Sequence, residues 1–312
     1  MALPVVTVAA GGLPVIDVTA TAPRLGLPVT EASNGRGTAV TKVAVNGLPV
    51  TFSTVPDWPG GGSTSAEATA FLARTSGLDA PHTSAYTALI DGLVADGIWA
   101  KLDVLHVYAT QNSTTAQLNL VSSSFPATLN GPPSFAVNRG YTGVDGSGSV
   151  YIATGFGANV GTPKFTQHSG HISAWSVTDV TSSHVIMGSI TPSISETVIY
   201  PKFTDGNSYY RINGAGASGV ANANGAGHYV AARSSSGTGV QGYKNGSSVA
   251  STSGASSPIS TFGFDVLGTA TVGASGSAFQ VAMASIGSNL TAGEVTAFYN
   301  RLRTYMTAVG VP

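Results

Sequence analysis

The stretch GHYVAARSSSGTGVQGYKNGSSVAST, from Gly227 to Thr252, holds the clearest local signal in the chain. Asn245 and Gly246 tolerate the two positive φ angles of a type I′ turn, so the flanking QGYK and SSVAS fold back on each other as an antiparallel hairpin. Ahead of it, GHYVAARS is strand-sized and ends in a Ser- and Gly-rich connection. This is the vocabulary of an antiparallel β protein.

The same texture extends outward from Lys101 to about Ala284. KLDVLHVYA alternates as a strand does, and NGPPSFAV, SVYIATGF, SGHISAWSV, SHVIMGSI, ETVIYPKF, SYYRINGA, STFGFDVLG and AFQVAMASIG are strand-length, β-branched or aromatic, and separated by Gly, Asn, Asp and Ser. Close-spaced short strands of this kind predict a sandwich. Helical spacing brackets them. Ser65 to Thr75 reads as a short helix with Phe71 and Leu72 inward, and Thr83 or Ser84 caps a second carrying Tyr86, Leu89, Ile90, Leu93 and Val94. At the other end Thr291 and Glu294 form a capping box, and Val295, Phe298, Leu302, Tyr305, Met306 and Val309 line one face of an amphipathic helix that stops at Gly310.

Before all this stand near copies of one phrase: GLPVIDV from Gly12, GLPVTEA from Gly26, GTAVTKV from Gly37 and GLPVTFS from Gly47, with ALPVVTV from Ala2 as a Gly-less version. Each is a short extended segment, and Pro14, Pro28 and Pro49 cannot donate ladder hydrogen bonds, which bars them from central strands. Such pieces bury too little apolar area to offset their ordering entropy, so they are expected to be disordered alone and to order by adding strands to other subunits, the alternative being a linker or a small Gly/Pro-rich sheet packed on the chain's own domain. The docking residues are then Leu13, Pro14, Val15, Leu27, Pro28, Val29, Leu48, Pro49 and Val50. DWPGGGSTS from Asp57 to Ser65 breaks regular structure and marks a boundary.

The 312 residues include only 9% charged side chains, 40 glycines and no cysteine, with a net charge of -1. No basic stripe is available to neutralise a phosphate backbone, which argues against nucleic acid, and the lack of Cys removes thiolate chemistry. The first basic residue is Arg24, and Pro4, Gly11, Gly12, Pro14 and Asp17 interrupt the apolar start, so no export signal is read, nor is there an apolar run of about 20 residues for membrane insertion. A hydroxyl-rich outer surface without an evident route of secretion suits a phage virion protein, which assembles in the host cytoplasm and leaves by lysis.

From about Val137 to Pro312 the chain resembles a concanavalin A-like (LamG-like) lectin/glucanase jelly roll. SVYIATGF, GHISAWSV, YYRIN, the opening stretch above and the terminal MASIGSNLTAGEVTAFYNRLRTYMTAVG carry the resemblance. The YKNG hairpin and the late IGSNLTAGEVTAFYNRL passage are similar to such modules in phage and prophage proteins, and YTALIDGLVADGIWAKLDVLHVYA resembles their helical lead-in. The expected architecture is mainly β. An extended GLPV-repeat arm (1–57) and a Gly-rich linker (58–65) precede a helical lead-in (66–100) and an antiparallel jelly-roll sandwich ending in the C-terminal helix (101–312).

Glucanases of that fold work with paired carboxylates on one face of a strand. Here Glu196 stands alone in SISETVIYP, Glu294 is explained by its cap, Glu31 and Glu67 lie outside the sandwich, and Asp265 has no acidic neighbour. The expectation is a protein that is not an enzyme. His168 and His171 are three apart and would face opposite sides of a strand, so they read as hydrogen-bonding residues and not as metal ligands. Two G-x-G-x-x-G matches, Gly214/Gly216/Gly219 and Gly237/Gly239/Gly242, open no helix in a βαβ unit and read as turn glycines. Lectin-like sandwiches hold sugar on an aromatic platform with polar side chains from nearby loops, which nominates Tyr209, Arg211, Asp205, Asn207, Trp175 and Tyr243. Tyr209 and Tyr210 must face opposite sides, so one of the two packs. Asp205-Gly206-Asn207 offers oxygens of the kind calcium takes but lacks the full acidic loop, and no cofactor is expected.

The sequence thus reads as a virion structural protein, a capsid decoration or a head or tail fibre. It would dock on capsid or tail subunits through its arm, homo-oligomerise, sit at the virion surface, and display the sandwich for host-surface glycan adhesion or particle stabilisation. The alternatives are a glycoside hydrolase of the same fold or a free-standing carbohydrate-binding module.

Overall fold

The computed structural model describes residues 64–157, 161–214, 219–237, 239–269 and 276–311, with the backbone of four short strands before them. The chain divides into two compact units, Met1–Gly62 and Ser63–Pro312. In the first, β1 (Val6–Val8) pairs antiparallel with β2 (Pro14–Ile16), and β3 (Lys42–Val45) with β4 (Leu48–Thr51). Each ladder has two strands, so Pro14 opposite Val8 and Pro49 opposite Ala44 need pair on one side only. Of the nominated arm residues, Pro14, Val15, Leu48, Pro49 and Val50 lie in these strands, whereas Leu13, Leu27, Pro28 and Val29 lie outside the described residues, as does most of the linker.

The second unit is a sandwich of two antiparallel sheets, as expected. One has the order β17 (Ser247–Ser251), β16 (Gln241–Lys244), β15 (Gly227–Arg233), β10 (Gly170–Ser176), β19 (Gln280–Gly287), β8 (Gly140–Thr142), β7 (Ser134–Ala136), and β5 (Leu102–Val107) also pairs with the long β19. The other runs β14 (Val220–Ala221), β13 (Asn207–Gly214), β12 (Ser195–Tyr200), β11 (Met187–Thr191), β18 (Asp265–Val266), β9 (Tyr151–Ala153), β6 (Thr128–Asn130). The opening hairpin is β16–β17, with Asn245 at φ 50° and Gly246 at φ 79°. The Asn245 side-chain oxygen also accepts the His228 N–H at 2.8 Å, tying the turn to β15.

Alternation of side chains along each strand builds two cores. Between the sheets, Ile172, Ala174, Tyr229 and Ile286 meet Ile199, Tyr210, Ile212 and Val266. The opposite face of the first sheet, with Trp175, Val230, Met283, Leu105 and Val107, is buried against helices. These are α1 (Ala66–Leu72), α2 (Ala80–Ala95) and α4 (Ala292–Ala308); a fourth, short helix, α3 (Ser113–Ala116), follows β5. The Thr291–Glu294 capping box forms as read. The start of α2 differs from the expectation: Asp79 is the cap, accepting the His82 N–H at 2.9 Å, and Pro81 falls within the first turn, where a missing N–H costs nothing.

Candidate functional site

Helices occupy the outer face of the sheet that contains β10. Among the described residues no helix covers the outer face of the other sheet. On that face the register places Tyr200 opposite Tyr209 and Val198 opposite Arg211, while Ile199 and Tyr210 between them point into the core. Burial grades across it. Val198 and Asp265 are buried, but Tyr200, Tyr209 and Arg211 at the β12–β13 margin are half-buried, and there the surface is open.

Three aromatic rings meet at this margin. Phe203, from the turn joining β12 to β13, lies 5.5 Å from Tyr200 and 5.7 Å from Tyr209, and the two tyrosines are 6.3 Å apart. All three interplanar angles fall between 84° and 89°, so the rings form a corner. The turn is closed by Phe203 N–H to Asn207 O at 2.7 Å and Gly206 N–H to Phe203 O at 2.9 Å, with Gly206 at φ 82°.

Asp205 stands at the tip of that turn. Its Oδ2 accepts the Tyr209 hydroxyl at 2.5 Å and its Oδ1 accepts the Asn207 N–H at 2.9 Å. The Tyr209 bond first, then the Asn207 N–H, holds the Asp205 carboxyl below the usual carboxylate range, and the same bond raises the Tyr209 phenol. The neighbouring cations are paired. Arg211 binds Glu196 across the ladder, and Lys202 Nζ binds Asp179 at 3.1 Å and Ala223 O at 3.0 Å. Asp179 in turn accepts the Gly225 N–H at 2.7 Å, fixing the loop after β14 against this end of the sheet. Apolar ring surface beside a hydroxyl acceptor is a combination suited to a sugar, which has an apolar face and a rim of hydroxyls.

The structure brings Tyr209, Arg211, Asp205 and Asn207 together and leaves Trp175 and Tyr243 elsewhere. Trp175, only 3% exposed, stacks on His228 at 5.6 Å and Tyr299 at 5.8 Å, with the Arg303 guanidinium 5.8 Å from its ring. Tyr243 is buried in the same helix-covered core. Tyr200 and Phe203, missed in the sequence, complete the corner. Their signal was the aromatic set in ETVIYPKF read together with SYYRIN across one tight turn.

His168 and His171 do not converge: His168 Nδ1 lies 2.8 Å from Ser256 Oγ, whereas His171 is buried with Nδ1 2.5 Å from Ser288 O and Nε2 3.2 Å from Ser285 Oγ. Among the described residues no three His, Asp or Glu side chains gather as a metal would require. Gly242 faces the Tyr210 ring with no room for a side chain, and Gly216 lies outside the described residues.

No family model and no curated protein matches the chain. Several solved structures resemble it. Domain 4 of AbnA, a GH43 extracellular arabinanase from Geobacillus stearothermophilus in complex with arabinotriose, is 15% identical with a TM-score of 0.46, over 64% of this chain and 98% of that one. Trypanosoma rangeli sialidase in complex with sialic acid is 12% identical with a TM-score of 0.48, over 70% of this chain and 39% of the sialidase. The binding domain of Paraclostridial Mosquitocidal Protein 1 is 11% identical with a TM-score of 0.47, over 65% and 53%. These likenesses concern the β-sandwich fold alone. They do correct one expectation: with proteins named as an arabinanase and a sialidase among the matches, the exclusion of enzyme function drawn from the spacing of carboxylates in the sequence is withdrawn.

Proposed function

We propose that the sandwich binds carbohydrate at the Tyr200–Phe203–Tyr209 margin and that the chain displays it from a larger assembly, a phage particle, on which the repeat region docks. The observation that carries the binding half is the half-buried aromatic corner with Asp205 anchored at its tip, on the sheet face that no described helix covers. The matched arabinanase domain is in complex with arabinotriose, a neutral saccharide. The display half rests on composition and on the repeats: a low-charge, hydroxyl-rich chain, with short extended units of the kind that add strands to a partner's sheet. Virion-surface location, capsid or tail partners and homo-oligomerisation belong to this proposal.

The test is a glycan array probed with the full chain, followed by titration of the best glycan. Binding should fall at least about tenfold in Tyr209→Ala with the far-UV spectrum unchanged, as expected for loss of one stacking ring and its hydroxyl. A wild-type chain that binds no glycan, or a Tyr209→Ala chain that binds as well as wild type, contradicts the binding half. Limited proteolysis of the same protein reads the docking half: cuts before Gly60 in the free chain should disappear on the particle.

A further inference from the structure

We infer that the margin selects uncharged saccharides over acidic ones, an inference that rests on the glycan-binding reading above. Charge decides it. Each cation bordering the rings is already held: Arg211 by Glu196, Lys202 by Asp179 and the Ala223 carbonyl. Lys244, beyond them, is bonded to Asn222 Oδ1 at 2.7 Å and Asn224 O at 2.5 Å. Among the described residues Asp205 makes no ion pair, and each of its oxygens accepts one hydrogen bond, from the Asn207 N–H and from the Tyr209 hydroxyl.

An ionised carboxylate oxygen has room for a second donor, so the exposed Asp205 keeps acceptor capacity. Sugar hydroxyls supply that donor. A sialic or uronic acid carboxylate, or a sulfate, brings negative charge next to Asp205 and meets cations whose Coulomb attraction is already spent on Glu196 and Asp179. A cationic ligand is disfavoured by geometry. A cage must surround an ammonium with ring centroids within about 6 Å of it on several sides, and rings that pack directly against one another leave no space between them.

The experiment compares matched neutral and acidic glycans, the acidic ones being sialylated, sulfated or uronic derivatives of the neutral cores, on an array and then by calorimetry. The full-length chain is used as wild type, Asp205→Asn and Asp205→Lys. Wild type should prefer the neutral member of each bound pair by about tenfold or more. Asp205→Asn should weaken neutral binding by about tenfold, and Asp205→Lys should erase or reverse the preference. Equal or tighter binding of the acidic members by wild type, or an unchanged preference in Asp205→Lys, overturns the inference while leaving glycan binding standing. Failure to bind any glycan overturns the binding reading itself, and this inference with it.

Discussion

Tyr209 and Tyr210 are adjacent in sequence and opposite in fate, which follows from the two-residue period of a strand. Tyr210 is 1% exposed inside the sandwich, and burial pushes its phenol up to about 12. Tyr209 turns outward and is held by Asp205 on one side and by the backbone of Gly219 on the other. A Cβ at Gly219 would lie 2.8 Å from the Tyr209 Cζ and hydroxyl and 3.0 Å from Asn207 Cβ. The atoms that must yield are mainly the far end of a side chain, so Gly219→Ala should fold normally while displacing the ring and stretching its bond to Asp205. Glycan affinity is expected to drop about tenfold with no change in the urea midpoint, the cost of one charge-assisted hydrogen bond and part of a stacking surface. Loss of stability with unchanged affinity would show that Gly219 serves the fold and not the site.

Among the elements, α4 covers the outer face of the sheet that holds β10. Its Phe298 lies 6.5 Å from His171 and 5.5 Å from His228, edge-on to both, and seals the two imidazoles under the helix. Burial lowers His171 to about 4 and His228 to about 3, with Lys101 and Glu294 acting weakly and oppositely on His171; His106 in β5 is likewise lowered to about 4. In the unfolded chain these groups return to the ordinary histidine value of about 6.5. Below that value the unfolded state binds more protons than the folded one, so stability is complete above pH 6.5 and lost as pH falls toward 4, at up to about 1.4 kcal/mol per pH unit for each histidine. Urea denaturation between pH 7 and pH 4.5 should show this slope, and His228→Leu should remove about a third of it whatever its effect at pH 7. A flat profile over that window would mean the imidazoles reach solvent. Much of this element was legible in sequence, because the Thr291–Glu294 cap and the 3.6-residue period of its apolar face are local signals. The start of α2 was hidden for the converse reason: Asp79 declares itself a cap only through its bond to the His82 N–H, and Pro81 reads equally as a break.

For the whole molecule, the order of layers decides which residues can serve a site. Helices, one sheet and a second sheet stack so that the apolar face of α4 consumes the strand face bearing Trp175 and Tyr243, and the β12–β13 margin stays open. Strand alternation told that one of two neighbouring tyrosines would pack, but the face that helices cover is a tertiary choice with no local signature. That is why Trp175 looked as eligible as Tyr209, and why Tyr200 and Phe203, joined to Tyr209 by a turn, escaped notice. Of the two units, the second carries the proposed glycan margin, and ligand contact there can be located directly. Hydrogen exchange of the full chain with and without its best array glycan, read peptide by peptide, is the decisive measurement. The account predicts slowed exchange across residues 198–211 and the 219–226 loop, with the α2 and α4 amides unchanged. Protection centred on α4 and the Trp175 strand, with 198–211 unaffected, would contradict it.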